Sequence, residues 1–190
     1  LFPKGQLNKF DFNTFDIKQV EFVSAFIDTA DTGEDYQSVP VACNIGSKIY
    51  IYDVLFTKKG TDENIQLTAD FLNQHKPTWT RVESNMGGSM YTQLLRQKYK
   101  GQLLPIRAKT NKQSRIKTLS GFIKEHCYFR HFYEEQSDYG KFMKQLTRYL
   151  ISGENKHDDA ADSLHGLCNM IRKFYPHLYR DFEIIGDGED

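Results

Sequence analysis

The chain has 190 residues, 39% of them hydrophobic, and its 25 Lys and Arg residues balance 25 Asp and Glu residues. This length and composition fit one domain with a single substantial core. No apolar run approaches the roughly 20 residues that span a bilayer, which argues against a membrane-spanning segment. Cys43, Cys127 and Cys168 are too few and too scattered for a disulfide framework or a zinc site, and they predict buried thiols in a reducing compartment.

The first part of the chain is predicted to form an arm and an antiparallel group of strands. Residues 1–18 lack periodicity and predict an arm or linker from a missing upstream domain. Residues 20–27 are apolar and rich in β-formers, and Asp28 closes this predicted strand. Residues 37–44 and 48–56 then predict a hairpin, because both runs are rich in Val, Ile and Tyr and a short Gly-containing turn joins them.

Alternating helices and strands follow. The predicted elements are a helix over 62–75 with Asp62 at its N-cap, a strand over 78–82 ended by Glu83, a helix beginning at 87–89, a strand over 103–108, a helix over 114–125, a short edge strand over 127–132, and helices over 138–151 and 158–174. This order predicts an α/β fold, in which a mixed sheet is covered by helices on both faces. We expect the domain to occupy residues 19–176 and a solvated tail to occupy 177–190.

Acidic residues stand at three distant points where strands or helices can direct them to one place. Asp28 and Glu83 each end a predicted strand, and Asp158, Asp159 and Asp162 cluster at the start of the last helix. Carboxylates held together repel one another unless a cation lies among them, and oxygen-only ligands suit Mg²⁺ or Mn²⁺. A pair of such ions is the usual device for cutting phosphodiester bonds, so the pattern predicts a two-ion nuclease site.

The zero net charge hides an uneven distribution. Residues 84–124 contain no Asp or Glu, yet many Lys and Arg residues fall inside this stretch. Such a basic, acid-free segment beside acidic clusters is typical of a protein that binds a phosphate backbone. The residues predicted to contact DNA phosphates follow the fifth strand and are Lys109, Lys112, Arg115 and Lys117.

Three segments carry a resemblance to a known family. They are FIDTADTGEDY at 26–36, VESNMGG at 82–88 and KHDDAADSL at 156–164. In this order and spacing they resemble the ribonuclease H-like, C-terminal nuclease domain of the terminase large subunit, the DNA-packaging motor protein of tailed bacteriophages. The resemblance covers about residues 20–175. The chain contains no GxxxxGK[ST] phosphate loop, so it resembles the nuclease half alone.

The resemblance implies a function and a role for each acidic residue. It implies an endonuclease that uses two Mg²⁺ or Mn²⁺ ions to cut double-stranded viral DNA concatemers during genome packaging. Asp28 matches the central metal ligand, Glu83 the second ligand and Asp159 the third, with Asp162 as a helper and Asp158 as either a ligand or a helix cap. The implied partners of the full-length protein are an upstream packaging ATPase domain, a small terminase subunit and the portal. The implied location is the host cell cytoplasm.

Other interpretations stay open from the sequence. A junction resolvase, a transposase-like enzyme or a ribonuclease H would use similar carboxylates. A catalytically silent nucleic-acid-binding module, or a protein–protein adaptor that docks through its aromatic residues, would keep the acids for structural reasons. The residues near the motifs with undecided roles are Asp31, Asp35 and His157, which would either serve the site or hold local structure.

Overall fold

A seven-stranded mixed sheet forms the centre of the molecule in a computed structural model, with strand order β1-β7-β4-β3-β2-β5-β6. The residues that the structure describes are 1–29, 35–83, 88–106, 112–150, 155 and 157–180. The strands are β1 (Asn8–Phe10), β2 (Phe22–Asp28), β3 (Gln37–Ile45), β4 (Lys48–Thr57), β5 (Trp79–Glu83), β6 (Leu103–Ile106) and β7 (Cys127–Arg130). The helices are α1 (Thr61–His75), α2 (Gly88–Lys98), α3 (Lys112–His126), α4 (Asp138–Arg148) and α5 (Asp159–Phe174).

Strand direction divides the sheet as the sequence predicts. β2, β3 and β4 pair antiparallel, whereas β5 and β6 extend the sheet from β2 as parallel strands. β3 and β4 form the predicted hairpin, and Gly46 takes a positive φ of 55° in its turn, a conformation that glycine adopts without steric cost. The predicted mixed sheet, an antiparallel group followed by parallel strands, is confirmed.

Helices cover both faces of the sheet, and the alternation of side chains along β2 decides which residues meet which helices. Ala25 and Ile27 belong to the core that includes residues of α1 and α2, whereas Phe26 belongs to the core that includes residues of α3, α4 and α5. Successive side chains of a strand point to opposite faces, so Asp28 lies on the same face as Phe26. The last residue of β2 therefore faces the side of the sheet that α5 covers.

Several local predictions need correction. Residues 8–10, within the predicted arm, pair as β1 with β7, so the predicted edge strand is an inner strand between β1 and β4. A three-residue strand carries no periodicity that sequence reading can detect. Gly60, not Asp62, is the N-cap of α1, and Asp62 lies in the first turn. Tyr179, within the predicted tail, is buried and accepts a hydrogen bond from Asn44 Nδ2 at 3.1 Å.

The composition also gave expectations about thiols and membranes. Cys43, Cys127 and Cys168 are free and buried, as predicted, and Cys127 Sγ lies 3.3 Å from Cys168 Sγ. Across the described helices, none combines the length and the apolar character needed to cross a bilayer.

A close approach between Gly166 and Phe26 seats α5 on the sheet. A Cβ atom added at Gly166 would lie 2.3 Å from Cζ of Phe26, far inside van der Waals contact. Gly166 lies one turn after Asp162, and Phe26 lies two residues before Asp28. This contact therefore sets the distance between the acidic turn of α5 and the end of β2.

We expect Gly166→Ala to destabilise the protein by about 1–3 kcal/mol, because the added methyl group overpacks the contact with Phe26. Thermal or urea unfolding measures this change. Gly5→Ala is the matched control, since a Cβ there meets nothing within 4 Å. In a Gly166→Ala background, Phe26→Leu should recover part of the loss. Equal stability of the Gly166→Ala and Gly5→Ala variants would contradict this account of the packing.

Candidate metal centre

Four acidic side chains are buried in the part of the chain that the structure describes, and all four come from the predicted site. They are Asp28, Glu83, Asp159 and Asp162, with exposed fractions between 1% and 6%. Every other described Asp or Glu is at least partly exposed. Burying a carboxylate is costly unless it is hydrogen-bonded or paired with positive charge, so their shared burial marks a special site.

The sheet places the first two acids side by side. Asp28 and Glu83 are register partners in the parallel pair of β2 and β5. Partners at the same register of neighbouring strands point to the same face, so both carboxylates face the α5 side at the carboxyl ends of their strands. The sequence prediction that these strand ends meet is confirmed by this pairing.

The first turn of α5 reaches the same end of the sheet. Ser163 Oγ lies 2.7 Å from Ser38 Oγ in a buried hydrogen bond. Ser38 is in turn the register partner of Asp28 in the antiparallel pair of β2 and β3. Asp162 precedes Ser163 directly, so this bond brings the acidic turn beside the ends of β2 and β5.

Arg115 of α3 links the two groups of acids. Its Nη2 atom lies 3.3 Å from Asp162 Oδ1 and 3.5 Å from Glu83 Oε1. The Arg115 side chain is only 16% exposed, so the contact is shielded from solvent. One guanidinium thus shares its positive charge between two buried carboxylates, which offsets part of their desolvation cost.

Asp159 has a different partner, and Asp158 a different position. Gln145 of α4 donates from Nε2 to Asp159 Oδ2 at 2.9 Å and accepts the Ala160 N–H at Oε1, at 2.6 Å. One amide therefore fixes both the carboxylate and the first turn of α5. Asp158 is half-buried at the N-cap position of α5, and within the described residues its side chain makes no capping hydrogen bond to the helix. Its backbone carbonyl accepts the Asp162 N–H at 2.8 Å.

These residues suit a hard divalent cation by chemistry, although they are not gathered into a closed ligand set. Carboxylate oxygens are the donors that Mg²⁺ and Mn²⁺ prefer. Among the described residues, no three His, Cys, Asp or Glu side chains lie close enough together to hold a metal ion as they stand. Arg115 lies between Glu83 and Asp162, and its positive charge stabilises both carboxylates as a bound metal ion would.

The residues predicted to bind DNA fall in different places. Lys117 is exposed on α3, as a phosphate contact requires, whereas Arg115 points inward to Glu83 and Asp162. Lys109 and the side chain of Lys112 lie outside the described residues. Other cations of the basic stretch bind neighbouring groups of the chain, as Arg96 binds the Leu103 carbonyl.

The three residues with undecided roles are also separated. Asp31 lies outside the described residues, and Asp35 is half-buried just before β3. His157 lines a cleft beside α4 with Lys144 and Arg148. Sequence reasoning missed Gln145, Ser38 and Ser163, because only tertiary contacts relate them to the acids.

A comparison with family models identifies the fold family. The model described as the ribonuclease H-like domain of the bacteriophage T7 terminase matches residues 27–128, more than half of the chain. This chain belongs to that terminase family. The matched segment contains Asp28, Glu83 and Arg115 and ends before α5. A search of curated proteins gives no match.

Solved structures of terminases share the fold. The manganese-soaked, inhibitor-bound nuclease domain of the human cytomegalovirus terminase has a TM-score of 0.59 and 12% identity, covering 90% of this chain and 95% of that one. The zinc-bound large terminase nuclease of the thermophilic phage G20c has the same TM-score and identity, covering 85% and 92%. The longer large terminase of a second thermophilic bacteriophage has a TM-score of 0.57 and 14% identity, and the match covers 84% of this chain but only 45% of that one. The predicted ribonuclease H-like terminase nuclease fold is confirmed.

We expect Arg115→Gln to lower the stability of the metal-free protein by roughly 3 kcal/mol, because the variant leaves two buried carboxylates without their shared positive charge. Lys117→Gln, which removes an exposed charge from the same helix, should change stability little. Thermal unfolding with EDTA measures both effects. Adding Mn²⁺ should restore more stability to Arg115→Gln than to wild type, whereas equal responses would show that no cation replaces the guanidinium.

Proposed function

We propose that this chain is a divalent-metal-dependent DNA endonuclease that cuts double-stranded viral DNA during genome packaging. The observation that carries the proposal is the burial of four acids from three distant segments at one end of the sheet. A structural role alone explains this poorly, since burying like charges together costs free energy that a fold of apolar residues would avoid. Membership of the terminase family supports the same reading.

Each acid has a distinct part in the proposed site. Asp28, at the end of a central strand, is held rigidly enough that it would serve as the central metal ligand. Glu83 beside it and the acids of α5 provide the flanking ligands. The sequence favours Asp159 as the third ligand, and the link of Asp162 through Arg115 to Glu83 supports including Asp162. Asp158, at the helix N-cap, ranks last.

The proposed chemistry is hydrolysis of a phosphodiester bond without a covalent intermediate. A bound pair of Mg²⁺ or Mn²⁺ ions would supply an acidified water as nucleophile and positive charge for the leaving 3′ oxygen. The chain's own residues hold the ligand carboxylates in place. Gln145 fixes the orientation of Asp159, and the Ser38–Ser163 bond holds the first turn of α5 against β2 and β3.

The proposed partners follow from the family and from the length of the relatives. Because the match covers under half of the longer large terminase described above, we propose that an ATPase domain works with this domain in the complete protein. We further propose the small terminase subunit and the portal as partners, double-stranded DNA as substrate and the host cell cytoplasm as the location. Linear duplex, four-way junction and RNA–DNA hybrid substrates would separate this activity from those of other ribonuclease H-like nucleases.

A second candidate function is a nucleic-acid-binding module without catalytic activity. It is favoured by one observation, the contact of Arg115 with Glu83 and Asp162, which supplies positive charge without any metal. The two candidates differ in one property. A nuclease of this kind binds Mn²⁺ at the buried acids in the millimolar range or tighter, whereas a silent module has no need to do so.

We expect Asp28→Asn to abolish metal-dependent plasmid cleavage while the fold stays intact, because the substitution removes the charge of the central ligand at nearly equal volume. A catalytic metal ion contributes several kcal/mol of charge stabilisation. A loss of about 4 kcal/mol corresponds to a rate about a thousandfold lower. The assay is plasmid digestion with Mg²⁺, Mn²⁺ or chelator, alongside calorimetric titration of Mn²⁺.

Asp70→Asn is the matched control, because Asp70 is an exposed carboxylate on α1, away from the buried acids. This variant should cut DNA and bind Mn²⁺ as wild type does. Manganese-dependent cleavage that survives in Asp28→Asn would remove Asp28 from the site. Absence of both Mn²⁺ binding and cleavage in the wild-type protein would favour the silent module.

A further inference from the structure

The outer face of α4 carries cations that the acidic site does not use. Phe142, Met143 and Leu146 turn to the core, whereas Lys144 and Arg148 are exposed on the other side of the helix. Lys141, three residues before Lys144, shares this outer face. We call Lys141, Lys144 and Arg148 the α4 basic face. An α-helix rises about 1.5 Å per residue, so these three cations span about 10 Å along its axis.

The α4 basic face has little compensating negative charge on the side of its smaller cleft. Lys144 and Arg148 make no ion pair with any residue in the described ranges, and Lys141 Nζ lies 3.8 Å from Asp138 Oδ1, at the outer limit of an ion pair. The three cations line a cleft of about 510 Å³, and the described lining of this cleft contains no Asp or Glu. A neighbouring cleft of about 760 Å³ along the same helix adds Lys4 but is also lined by Glu134 and Glu135. The smaller cleft, whose described lining has cations and no acid, is therefore the part of this surface that attracts an extended anion.

The side chains around the smaller cleft favour a backbone ligand over a base. Tyr36 stacks on Phe56 with ring centroids 4.2 Å apart, and Lys58 Nζ lies 4.5 Å from the Tyr36 centroid. The Tyr36 ring already has these two partners, which disfavours stacking of a nucleic-acid base on it. Asn155 bonds both polar groups of its side chain to the Leu150 backbone. Besides Gln136 and His157, the polar groups left to meet a ligand are the cations, which recognise phosphates and carry no sequence information.

The α4 basic face also connects directly to the buried acids. Gln145 lines the same cleft as Lys144 and Arg148, and its amide is hydrogen-bonded to Asp159 and to the Ala160 N–H. For a DNA strand whose phosphates contact this face, only the Gln145 side chain therefore separates the DNA from the first turn of α5. The basic stretch in the sequence, by contrast, lies at 84–124 and does not include α4.

From these contacts we infer that the α4 basic face is a track for the phosphate backbone of DNA leading to the acidic site. This inference rests on the proposed function, since it assigns the surface that holds the substrate of the same site. Lys144 and Arg148 each contact a phosphate, with Lys141 as a third, weaker contact. Gln145 is a positioning residue between the track and Asp159. Recognition by the track is independent of sequence.

The test compares the loss of two charges on this face with the same loss elsewhere. K144Q/R148Q removes the two exposed cations of the track, and K18Q/K173Q removes two exposed cations that line neither cleft. Fluorescence anisotropy measures binding of a short blunt duplex of arbitrary sequence to the intact chain. The titration runs in EDTA over a series of salt concentrations, so that binding is separated from cleavage.

We expect K144Q/R148Q to bind the duplex about tenfold or more weakly than wild type, and its salt dependence to be shallower. Each lost phosphate contact lowers the slope of log affinity against log salt by about 0.9 on duplex DNA, so the double variant should lose about 1.8. K18Q/K173Q should keep the wild-type slope. Thermal unfolding checks that both variants fold, and the charge reversal K144E/R148E should weaken binding further.

Two outcomes would overturn the inference. One is a K144Q/R148Q slope and affinity equal to those of wild type or of K18Q/K173Q. The other is that K112Q/K117Q, which removes two cations predicted from the sequence to contact DNA, weakens duplex binding while K144Q/R148Q binds as wild type does. Because the titration contains no divalent ion, its result is independent of catalysis. If K144Q/R148Q loses duplex binding and the wild-type protein never cuts DNA, the proposed nuclease function is contradicted, but the inference that the α4 basic face binds DNA is supported.

Discussion

Burying carboxylates beside one another requires compensating positive charge, and this requirement shapes the end of the sheet where β2 and β5 finish. Asp28 and Glu83 are adjacent in register, and the first turn of α5 brings Asp159 and Asp162 to the same end. Arg115 supplies one positive charge to two of the acids, and the Gln145 amide supplies a hydrogen bond to a third. Carboxylate oxygens held together in this way are the donors that divalent ions prefer, which is the physical reason to expect divalent ions there.

The fold meets this requirement by fixing three separate segments against each other. Sheet hydrogen bonds hold the ends of β2 and β5 in register, whereas α5 is held by packing and by polar contacts. The close contact of Gly166 with Phe26 sets the distance of α5 from the sheet, and the hydrogen bond between Ser38 and Ser163 fixes the first turn of α5. Only four of the 25 acids are buried at this end of the sheet, whereas Lys144 and Arg148 are exposed on the outer face of α4.

The sequence predicted those features that depend on local pattern. An apolar run rich in β-formers located β2, and the predicted strand over 78–82 located β5, so the sequence placed Asp28 and Glu83 at strand ends that meet at one edge of the sheet. The strand β1 was missed because three residues show no period, and β7 was misplaced at an edge for the same reason. The roles of Arg115 and Gln145 could not be predicted, since their partners lie far away along the chain. Arg115 looked like a phosphate contact because a basic stretch shows charge but not the direction of a side chain.

The most direct measurement of the central claim is anomalous diffraction from crystals of this chain grown with Mn²⁺. The account predicts anomalous peaks among Asp28, Glu83 and the acids of α5, with the Arg115 guanidinium moved away from at least one of its two carboxylates. Well-diffracting crystals with no peak at these acids at millimolar Mn²⁺, and with Arg115 still in contact with Glu83 and Asp162, would contradict it. In that case the buried charges would be a feature of the fold alone.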